Sequence, residues 1–459
     1  MSGFVFCFGR VPEEYTPSAK NSPSSSDDKL QHYIAVTMPV HDSLLIFTRY
    51  PIPGEVKTRL IPFLGAEKSA QLHREMTEFT LRQARQINAR VEVRFTGAEL
   101  EQMREWLGRD IAYCDQGPGD LGRRMARAVQ EHFAGGARRV VVIGSDCPEN
   151  RAANLRLCFA LLQKHPCVLG PAHDGGYYLI GMNEARPELF SGVDWGAGHV
   201  LRQTLTAAPP STALLPKLHD VDREEDVPSA ISVVIPALNE EKGVAGAVRS
   251  VRQGFHAECI VVDGGSKDAT RLAAAEAGAE VLQSPPGRAR QMNYGAKHAQ
   301  GEILLFLHAD SSLPEGWDIA VRNALKTPGT ALGAFTFYVP EKIAGMKLVA
   351  WGVDMRSRLF HMPYGDQGLF LQRALFEKVG GFPDIPIMED VALVKKAKQH
   401  GKIVIVKEKL ATSGRRWQQH GIVKTLLLNQ YILLASAFGV SPERLREIYR
   451  AGALMRFFR

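Results

Sequence analysis

Several acidic residues in the second half of the sequence stand next to short apolar runs. Asp263 ends the run Cys-Ile-Val-Val, Asp310 closely follows a run of leucine and phenylalanine, and the pair Glu389-Asp390 precedes a helix-like segment. Carboxylates at the carboxyl ends of parallel strands meet at one edge of a sheet. There they can bind a base or ribose, hold a divalent cation that carries a diphosphate, or act as a general base. The spacing therefore predicts a site for a phosphorylated substrate.

Each of these acids also has a purely structural interpretation. Asp263 could cap the helix that follows it, and Asp310 could cap the turn into Ser311-Ser312. Glu389-Asp390 could be ordinary first-turn acids that the helix dipole stabilises. Taken singly, the last pair favours the structural interpretation. Their shared order at the ends of alternating strands favours the chemical one.

The first half carries a basic loop and two comparable acids. Lys57 and Arg59 lie in a glycine-containing loop after the first apolar run, where such a loop can cradle a diphosphate. A plain basic loop explains the same residues equally well. Asp146 follows another apolar run, and Asp174 precedes a further one. These positions predict a second phosphate-binding site.

The elements that must position these residues alternate between strands and helices. A helix is predicted over 66–88, and short apolar runs predict buried strands. Alternation of this kind predicts an α/β, doubly wound sheet in each half. The predicted strands are 43–47, 91–95, 139–144, 165–170 and 176–181 in the first half, and 231–235, 259–263, 280–283 and 303–308 in the second.

The chain of 459 residues is too long for one ordinary domain. We predict a flexible leader over 1–42, which is rich in Ser and Pro, and a first domain over 43–228. A second domain is predicted over 229–420, followed by a helical tail over 421–459. Proline and charged residues near 209–229 mark the boundary between the domains.

Composition narrows the classes of function and location. The net charge of +7 suits an enzyme that handles anionic phosphates, and no dense block of Lys and Arg indicates a nucleic-acid partner. The six cysteines are scattered without metal-ligand spacing, which is typical of a reducing compartment. The first residues lack the pattern of a secretory signal, so a cytoplasmic location is expected.

Four motifs of the second half resemble family-2 glycosyltransferases of the GT-A fold. They are ISVVIPALNEE, VVDGGSKDAT, FLHADS and IMED, which begin at residues 231, 261, 306 and 387. The resemblance covers nearly all of residues 231–420. Together with the first half, it implies two tandem GT-A-like, Rossmann-like nucleotide-binding domains with a carboxy-terminal helical tail.

The resemblance implies roles for particular residues of this sequence. Asp310 would hold a divalent cation, Mn²⁺ or Mg²⁺, beside His308, which stands where the family usually has its first acid. Imidazole ligates Mn²⁺ better than Mg²⁺, so the metal preference stays open. Asp390 would deprotonate the acceptor with support from Glu389. Nucleotide contacts would come from Pro236, Asn239, Glu240, Asp263, Arg288 and Arg290.

Two further segments of the second half would lie near the acceptor or the diphosphate. One is the glycine-containing loop that includes Asp366 and Gln367. The other is Arg415-Arg416-Trp417, which resembles the basic-aromatic element that follows the catalytic domain in processive relatives. A solvated basic turn is the alternative for this second segment.

The implied chemistry is a single inverting displacement from a UDP-, GDP- or dTDP-sugar. A subgroup associated with arsenosugar biosynthesis resembles this core, as does a bacterial enzyme that glycosylates a carotenoid carboxylate. The acceptor is therefore expected to be a small molecule or lipid-like. A nucleotide-sugar binding or regulatory protein with a catalytically silent amino-terminal domain is the alternative.

The first half resembles an uncharacterised family of GT-A-like domains related to cofactor guanylyltransferases. KTRL, GSDCP, DGGYYLIG and LHDVD carry this resemblance, over about residues 43–228. It implies that Lys57 and Arg59 bind nucleotide phosphates and that Asp146 binds metal, with Asp174 a candidate second ligand. This domain would make or bind the sugar nucleotide that the second domain uses.

The apolar stretch 421–440 is long enough to suggest a membrane span, but polar residues interrupt it. Thr425, Asn429 and Ser436 share one narrow stripe at helical spacing. We predict a helix that packs on the catalytic domain. The alternative is a helix in the membrane interface, which would make 421–459 a peripheral contact at the inner face of the cell membrane.

Overall fold

The computed structural model describes residues 42–451. The predicted leader lies outside this range except for its last residue, and so does the end of the predicted tail. Two mixed α/β sheets with helices on both faces make up the described chain. The predicted fold class is therefore confirmed.

The first half forms a sheet of seven strands in the order β3-β2-β1-β4-β6-β5-β7. Alternate residues of the buried strand β1 serve two cores, since Leu44 and Ile46 face one cluster and Leu45 and Phe47 face the other. The strands are β1 (Asp42–Phe47), β2 (Arg90–Phe95), β3 (Ala112–Asp115), β4 (Arg139–Gly144), β5 (Cys167–Pro171), β6 (Tyr177–Met182) and β7 (Ala213–Leu214). The helices are α1 (Ile61–Leu64), α2 (Ala66–Ala84), α3 (Leu100–Leu107), α4 (Leu121–Ala134), α5 (Ala152–Leu161) and α6 (Val200–Ala207).

The second half forms a sheet of eight strands in the order β10-β9-β8-β11-β14-β13-β15-β12. Its strands are β8 (Ile231–Ala237), β9 (Ala257–Asp263), β10 (Glu280–Gln283), β11 (Ile303–Phe306), β12 (Ser311–Ser312), β13 (Thr330–Tyr338), β14 (Leu369–Gln372) and β15 (Lys402–Thr412). Its helices are α7 (Val244–Val251), α8 (Thr270–Glu276), α9 (Arg288–His298), α10 (Trp317–Lys326), α11 (Met346–Leu359), α12 (Arg373–Lys378) and α13 (Glu389–Lys398). The chain closes with α14 (Arg415–His420), α15 (Ile422–Ala437) and α16 (Pro442–Ala451).

The two sheets begin with the same topology. In each, four parallel strands run in the order third, second, first, fourth, and an antiparallel strand follows beside the fourth. The second sheet then adds β13, β15 and the short β12. The shared organisation that the sequence indicated is therefore present in the strand order itself.

The two halves meet across a buried interface. The Arg151 guanidinium of the first half lies 2.7 Å from the carboxylate of Asp318, which also accepts the backbone N–H of Phe255 at 3.0 Å. Arg322 supplies a second guanidinium at 3.0 Å. The ring of Phe255 packs edge-on against Phe79 of α2 within an apolar cluster. The interface thus has a core of its own, with a charge cluster inside it.

The tail helices pack on the second domain along one side. Leu428, Ile432 and Ala435 of α15 form a cluster with Leu445 of α16, and Thr425 is also buried. This agrees with the predicted packing of the helix. Within the described residues, no helix is both long and apolar enough to cross a membrane.

Candidate active site

The second sheet reverses its strand order between β8 and β11, and open α/β sheets bind ligands at such a point. The carboxyl ends of both strands border a cavity of about 930 Å³. Pro236 comes from the end of β8, Glu240 from the loop after it, and Asp310 from the loop after β11. These three predicted site residues are therefore brought together.

Asp263 and Asn239 shape the rim of this region rather than line the cavity. The Asp263 side chain is only 1% exposed, and its carboxylate accepts the backbone N–H groups of Gly265 and Ser266 at 3.1 Å. Asn239 has a left-handed backbone, and its side-chain oxygen accepts the Lys267 N–H at 2.9 Å. Both side chains therefore hold the loops after β8 and β9, and their contact with a nucleotide stays a prediction.

Arg415 bridges two acids of the cavity. Its Nη2 lies 2.8 Å from Glu240 Oε2 and 3.2 Å from Asp310 Oδ2. The first residue of α14 thus reaches back to the loops that follow β8 and β11. The Arg415 guanidinium therefore places a positive charge between Asp310, which is predicted to bind metal, and Glu240.

The surroundings of Asp310 fit a cation that a substrate carries. The position of the Arg415 guanidinium indicates that the space between Glu240 and Asp310 accepts positive charge. The carboxylates of Glu240 and Asp310, which both contact Arg415, would supply one or two oxygens to such a cation. Mg²⁺ commonly binds in this way, with substrate phosphates supplying further ligands.

The acids at the start of α13 are held by an unusual turn. Met388, the residue before the helix, has a φ of 70°, which is strained for a residue with a side chain. Asp390 Oδ2 accepts the N–H of Gly365 at 2.6 Å, and its Oδ1 accepts the N–H of Val391 at 2.7 Å. The Asp390 carboxylate is therefore fixed at the cavity wall by the segment at Gly365 and by the next residue of its own helix.

His308 flanks the same carboxylate. A Cβ at residue 365 would lie 3.1 Å from Asp390 Oδ2 and 3.2 Å from His308 Nε2, so glycine leaves room for both groups. Burial, with the positive charge of Arg288 nearby, lowers the pKa of His308 to about 3. The imidazole is therefore neutral at physiological pH, while metal ligation by it stays a prediction.

Two other acids of the cavity, Glu389 and Asp366, have raised pKa values. Burial raises the pKa of Glu389, Arg288 opposes this at 3.7 Å, and Asp390 adds to it. Burial also raises the pKa of Asp366 to about 6, against the opposing charge of Arg356. Asp366 Oδ1 has no hydrogen-bond partner among the described residues, although it borders the cavity. A hydroxyl group of an acceptor can satisfy this oxygen.

Gln367 and Trp417 both contact other parts of the second half. Gln367 is fully buried and its amide contacts Ser357 Oγ at 2.8 Å and the Phe335 carbonyl at 3.0 Å. Trp417 packs in an apolar cluster with α11. The expectation that Gln367 contacts an acceptor is therefore corrected, since its surface is already occupied. Trp417 is only partly buried, and its contact with acceptor or diphosphate stays a prediction. The side chain of Arg416 lies outside the described part of the chain.

Arg290 lines the cavity but is paired. Its Nε lies 2.9 Å from Asp384, and both side chains are more than half exposed. Arg288 stands at the first position of α9, with its guanidinium near Glu389. Both predicted phosphate-binding arginines thus face the cavity, each already near an acid.

The tail supplies a wall of the cavity that sequence reasoning missed. Asn429 and Leu433 of α15, with Arg446 and Tyr449 of α16, line it opposite the strand ends. The polar stripe that includes Asn429 was the signal in the sequence, because it marks the side of α15 that does not face solvent. Nothing in the sequence indicated that Arg446 lines the cavity, since its position depends on how α16 packs.

The two predicted basic residues of the first domain both pair with Asp222. Lys57 Nζ lies 2.8 Å from Asp222 and 3.5 Å from Asp146, while Arg59 lies 3.1 Å from Asp222. Burial lowers the pKa of Lys57, but Asp146 and Asp222 outweigh it and leave that pKa raised. Lys57 therefore stays charged beside the carboxyl end of β4.

Three acids of the first domain could share a cation. Ligand oxygens of Asp174, Asp220 and Asp222 lie within 4.8 Å of one another. Burial and the charge of Asp174 raise the pKa of Asp220 to about 6. Asp174 was predicted here, whereas Asp146 is outside this group and faces Lys57. Asp220 and Asp222 were present in the closing LHDVD motif but had not been assigned a role.

Two family models match separate parts of the chain. Residues 232–373 match glycosyl transferase family 2, and residues 80–197 match an uncharacterised protein family conserved in bacteria. The two matched segments lie in the second and the first sheet respectively.

Individual proteins show the same relationship. An uncharacterised glycosyltransferase of Mycobacterium tuberculosis is 31% identical over 180 residues, which cover 36% of this chain and 68% of that protein. The 4,4′-diaponeurosporenoate glycosyltransferase of Staphylococcus haemolyticus is 36% identical over 103 residues, which cover 20% of this chain and only 28% of the enzyme.

Among solved structures, glucosyl-3-phosphoglycerate synthase of M. tuberculosis was crystallised with Mn²⁺, uridine diphosphate and glucosyl-3-phosphoglycerate. It is 22% identical and covers 43% of this chain and 79% of its own, with a TM-score of 0.34. Through the matches of its second half, the chain belongs to glycosyltransferase family 2, and its first half matches the uncharacterised bacterial family.

Proposed function

We propose that the second domain is a metal-dependent, inverting glycosyltransferase that moves a sugar from a nucleotide sugar to a small-molecule or lipid-like acceptor. One observation carries the proposal: Asp310, Asp366 and Asp390 border a single cavity at the point where the strand order reverses. Membership of glycosyltransferase family 2 supports the reaction class.

In the proposed reaction, an oxygen of the acceptor attacks the anomeric carbon and forms the new C–O bond. The bond from that carbon to the diphosphate breaks, and the nucleoside diphosphate leaves with the electron pair. Asp390 takes the proton of the acceptor hydroxyl, and the Gly365 N–H holds the carboxylate for this step. Attack from the side opposite the leaving group inverts the anomeric configuration.

The leaving diphosphate needs positive charge. Arg288 and Arg290 line the cavity on the side of α9, and Arg415 already contacts Asp310. A divalent cation on Asp310, when bound, would stabilise the charge on the diphosphate oxygens. Arg415 would then lie beside the diphosphate, in keeping with its predicted role.

The similar enzymes and the lining of the cavity both bear on the class of acceptor. Similarity to the diaponeurosporenoate enzyme suggests a lipid-like acceptor such as a carotenoid acid, and the arsenosugar-type resemblance suggests a small polar one. Ile432 and Leu433 give the tail wall apolar surface, while Arg446 adds a cation there. An amphipathic acceptor with an anionic or hydroxylated end suits this lining. We assign the donor only to the UDP-, GDP- or dTDP-sugars.

The metal assignment predicts a loss of donor binding in Asp310→Asn. In the intact chain, Mn²⁺ or Mg²⁺ together with the correct nucleotide sugar should raise the melting temperature, and the chelator EDTA should remove most of this increase. Asp310→Asn should lose the metal-dependent part, because the charged oxygen ligand is gone. Glu315→Gln removes an exposed acid outside the cavity and should behave like the wild type. A full metal response in Asp310→Asn would contradict the assignment.

For the first domain, we propose binding of a nucleotide at Lys57 and Arg59, with a cation on the nearby acids, so that it makes or holds the sugar nucleotide used by the second. The buried, charged Lys57 beside Asp146 and Asp222 favours this over a plain surface loop. A binding or regulatory domain without catalysis is the alternative.

Nucleotidyl transfer by the first domain predicts pyrophosphate release. The intact chain, incubated with nucleoside triphosphates, sugar 1-phosphates and Mg²⁺, should release pyrophosphate, and Lys57→Met should reduce the rate by roughly tenfold or more. Lys68→Met, an exposed lysine of α2, is the matched control. If nucleotides raise the melting temperature but no pyrophosphate appears, the domain is a binding module.

A further inference from the structure

The beginnings of the helices α11 and α15 meet in one apolar cluster. Met346 and Val349 of α11 are buried in a cluster that also includes Ile422 and Leu426 of α15. Each helix therefore turns its opposite side away from the core. These outer sides carry many exposed apolar side chains, which is unusual for a protein surface in water.

The outer side of α11 is almost entirely apolar. Leu348, Trp351, Met355 and Leu359 recur at helical spacing on it, and Trp351 is 60% exposed. Phe360 continues the surface directly after the helix and is also exposed. Sequence reasoning had given no role to this segment.

The outer side of α15 is also largely apolar. Val423, Leu427 and Leu434 fall on one side at helical spacing together with the exposed Gln430, and Phe438, directly after the helix, is 86% exposed. The exposed large apolar side chains elsewhere in the described chain are spread over both domains, whereas these two rows lie on helices that meet in one apolar cluster. Exposed apolar rows of this kind mark an interaction site. We call these outer rows of α11 and α15, with Phe360, the apolar surface.

The charges around the apolar surface are mostly positive. Lys342, Lys347 and Lys424 are exposed on the two segments. Asp354 is the single acid between residues 342 and 360, and Arg358 pairs with it at 2.7 Å. No acid occurs between residues 421 and 442. Cationic rims beside apolar helix faces are complementary to anionic lipid headgroups.

The geometry excludes a span and suits a helix lying in the membrane plane. α15 has 16 residues. At about 1.5 Å per residue it is roughly 24 Å long, less than the ~30 Å hydrocarbon core. Its inner side is committed to the protein and to the cavity wall at Asn429 and Leu433. The apolar surface can therefore enter the lipid interface while the cavity stays beside it.

We propose that the apolar surface docks the protein on the surface of an anionic lipid bilayer. The proposal stands independently of the reaction, since it requires neither donor nor metal. It extends the predicted contact of the tail by a second helix, α11. Docking would bring the cavity wall formed by α15 close to the interface in which an amphipathic acceptor resides.

The test uses the intact chain and sedimentation with vesicles. The wild type should co-sediment with vesicles of phosphatidylglycerol and phosphatidylcholine and less with phosphatidylcholine alone. Trp351→Gln combined with Leu427→Gln should weaken binding by roughly tenfold or more, because two large apolar side chains no longer insert. Lys347→Glu combined with Lys424→Glu should weaken binding to the anionic vesicles selectively.

Leu272→Gln is the matched control, since Leu272 is an equally exposed apolar residue on α8. It should bind vesicles like the wild type. Absence of binding by the wild type, or unchanged binding of Trp351→Gln with Leu427→Gln, would overturn the proposal. A dimer in light scattering that this double variant dissociates, without vesicle binding, would assign the surface to a second copy of the chain. None of these variants should change the rate of sugar transfer to a water-soluble acceptor.

Discussion

Asp390→Asn should reduce kcat for sugar transfer by about 10²–10⁴-fold, the usual contribution of a general base. Asparagine has the same shape, and its side-chain oxygen can still accept the Gly365 N–H at 2.6 Å, although its amide nitrogen cannot accept the Val391 N–H. What disappears is the group that accepts the proton. Donor affinity, measured by calorimetry with the nucleotide sugar and metal, should therefore change little.

Two companion variants sharpen this prediction. Glu377→Gln neutralises an exposed acid of α12 and should keep wild-type turnover. Glu389→Gln should cause a smaller loss than Asp390→Asn, because Glu389 is buried near Arg288 and supports the site without taking the proton. If Asp390→Asn retained full turnover, the base would have to be sought elsewhere in the cavity, with Asp366 the first candidate.

The largest loss of stability is expected from Asp318→Ala at the interface between the two halves. This carboxylate is fully buried between the guanidinium groups of Arg151 and Arg322. Its removal leaves two buried positive charges without a counter-charge, a type of change that costs about 3–5 kcal/mol. Urea denaturation of the intact chain, followed by tryptophan fluorescence, should show a correspondingly lower free energy of unfolding.

A surface ion pair provides the comparison. Arg85 lies 2.8 Å from Asp110 with both side chains well exposed to solvent, so Arg85→Ala should cost less than about 1 kcal/mol. Arg151→Met removes only the ion pair that joins the two halves, because Asp318 still pairs with Arg322 in the second half. Its cost should fall between those of the other two variants. Equal stabilities of Asp318→Ala and Arg85→Ala would mean that water enters the interface.

The sequence predicted most reliably the strands whose burial shows in continuous apolar runs. The bounds predicted for β4 and β10 agree with the structure, and the acids at the end of β9 and after β11 lie at the expected edge. The helix predicted to end at 88 ends at Ala84, since the following residues form turns. These successes share one cause: the local pattern of side chains determines the element.

The parts that the sequence did not reveal depend on contacts between distant residues. β15 joins the apolar run 403–406 to the charged run 407–409, and it pairs with β13 about 70 residues earlier, a register that no local pattern specifies. Arg415 meets Glu240 across 175 positions, and Asp220 gathers with Asp174 only in the folded chain. Gln367 was mistaken for an acceptor contact because a polar residue in a loop gives no sign of being fully buried.

The interface between the halves has a consequence for how the chain can vary. A junction that contains Phe79, Phe255 and a buried trio of charges resembles the contact between obligate subunits more than a hinge. The covalent connection near residues 223–230 then mainly fixes a one-to-one stoichiometry. Either half by itself would expose the apolar and charged surface that the other half now covers.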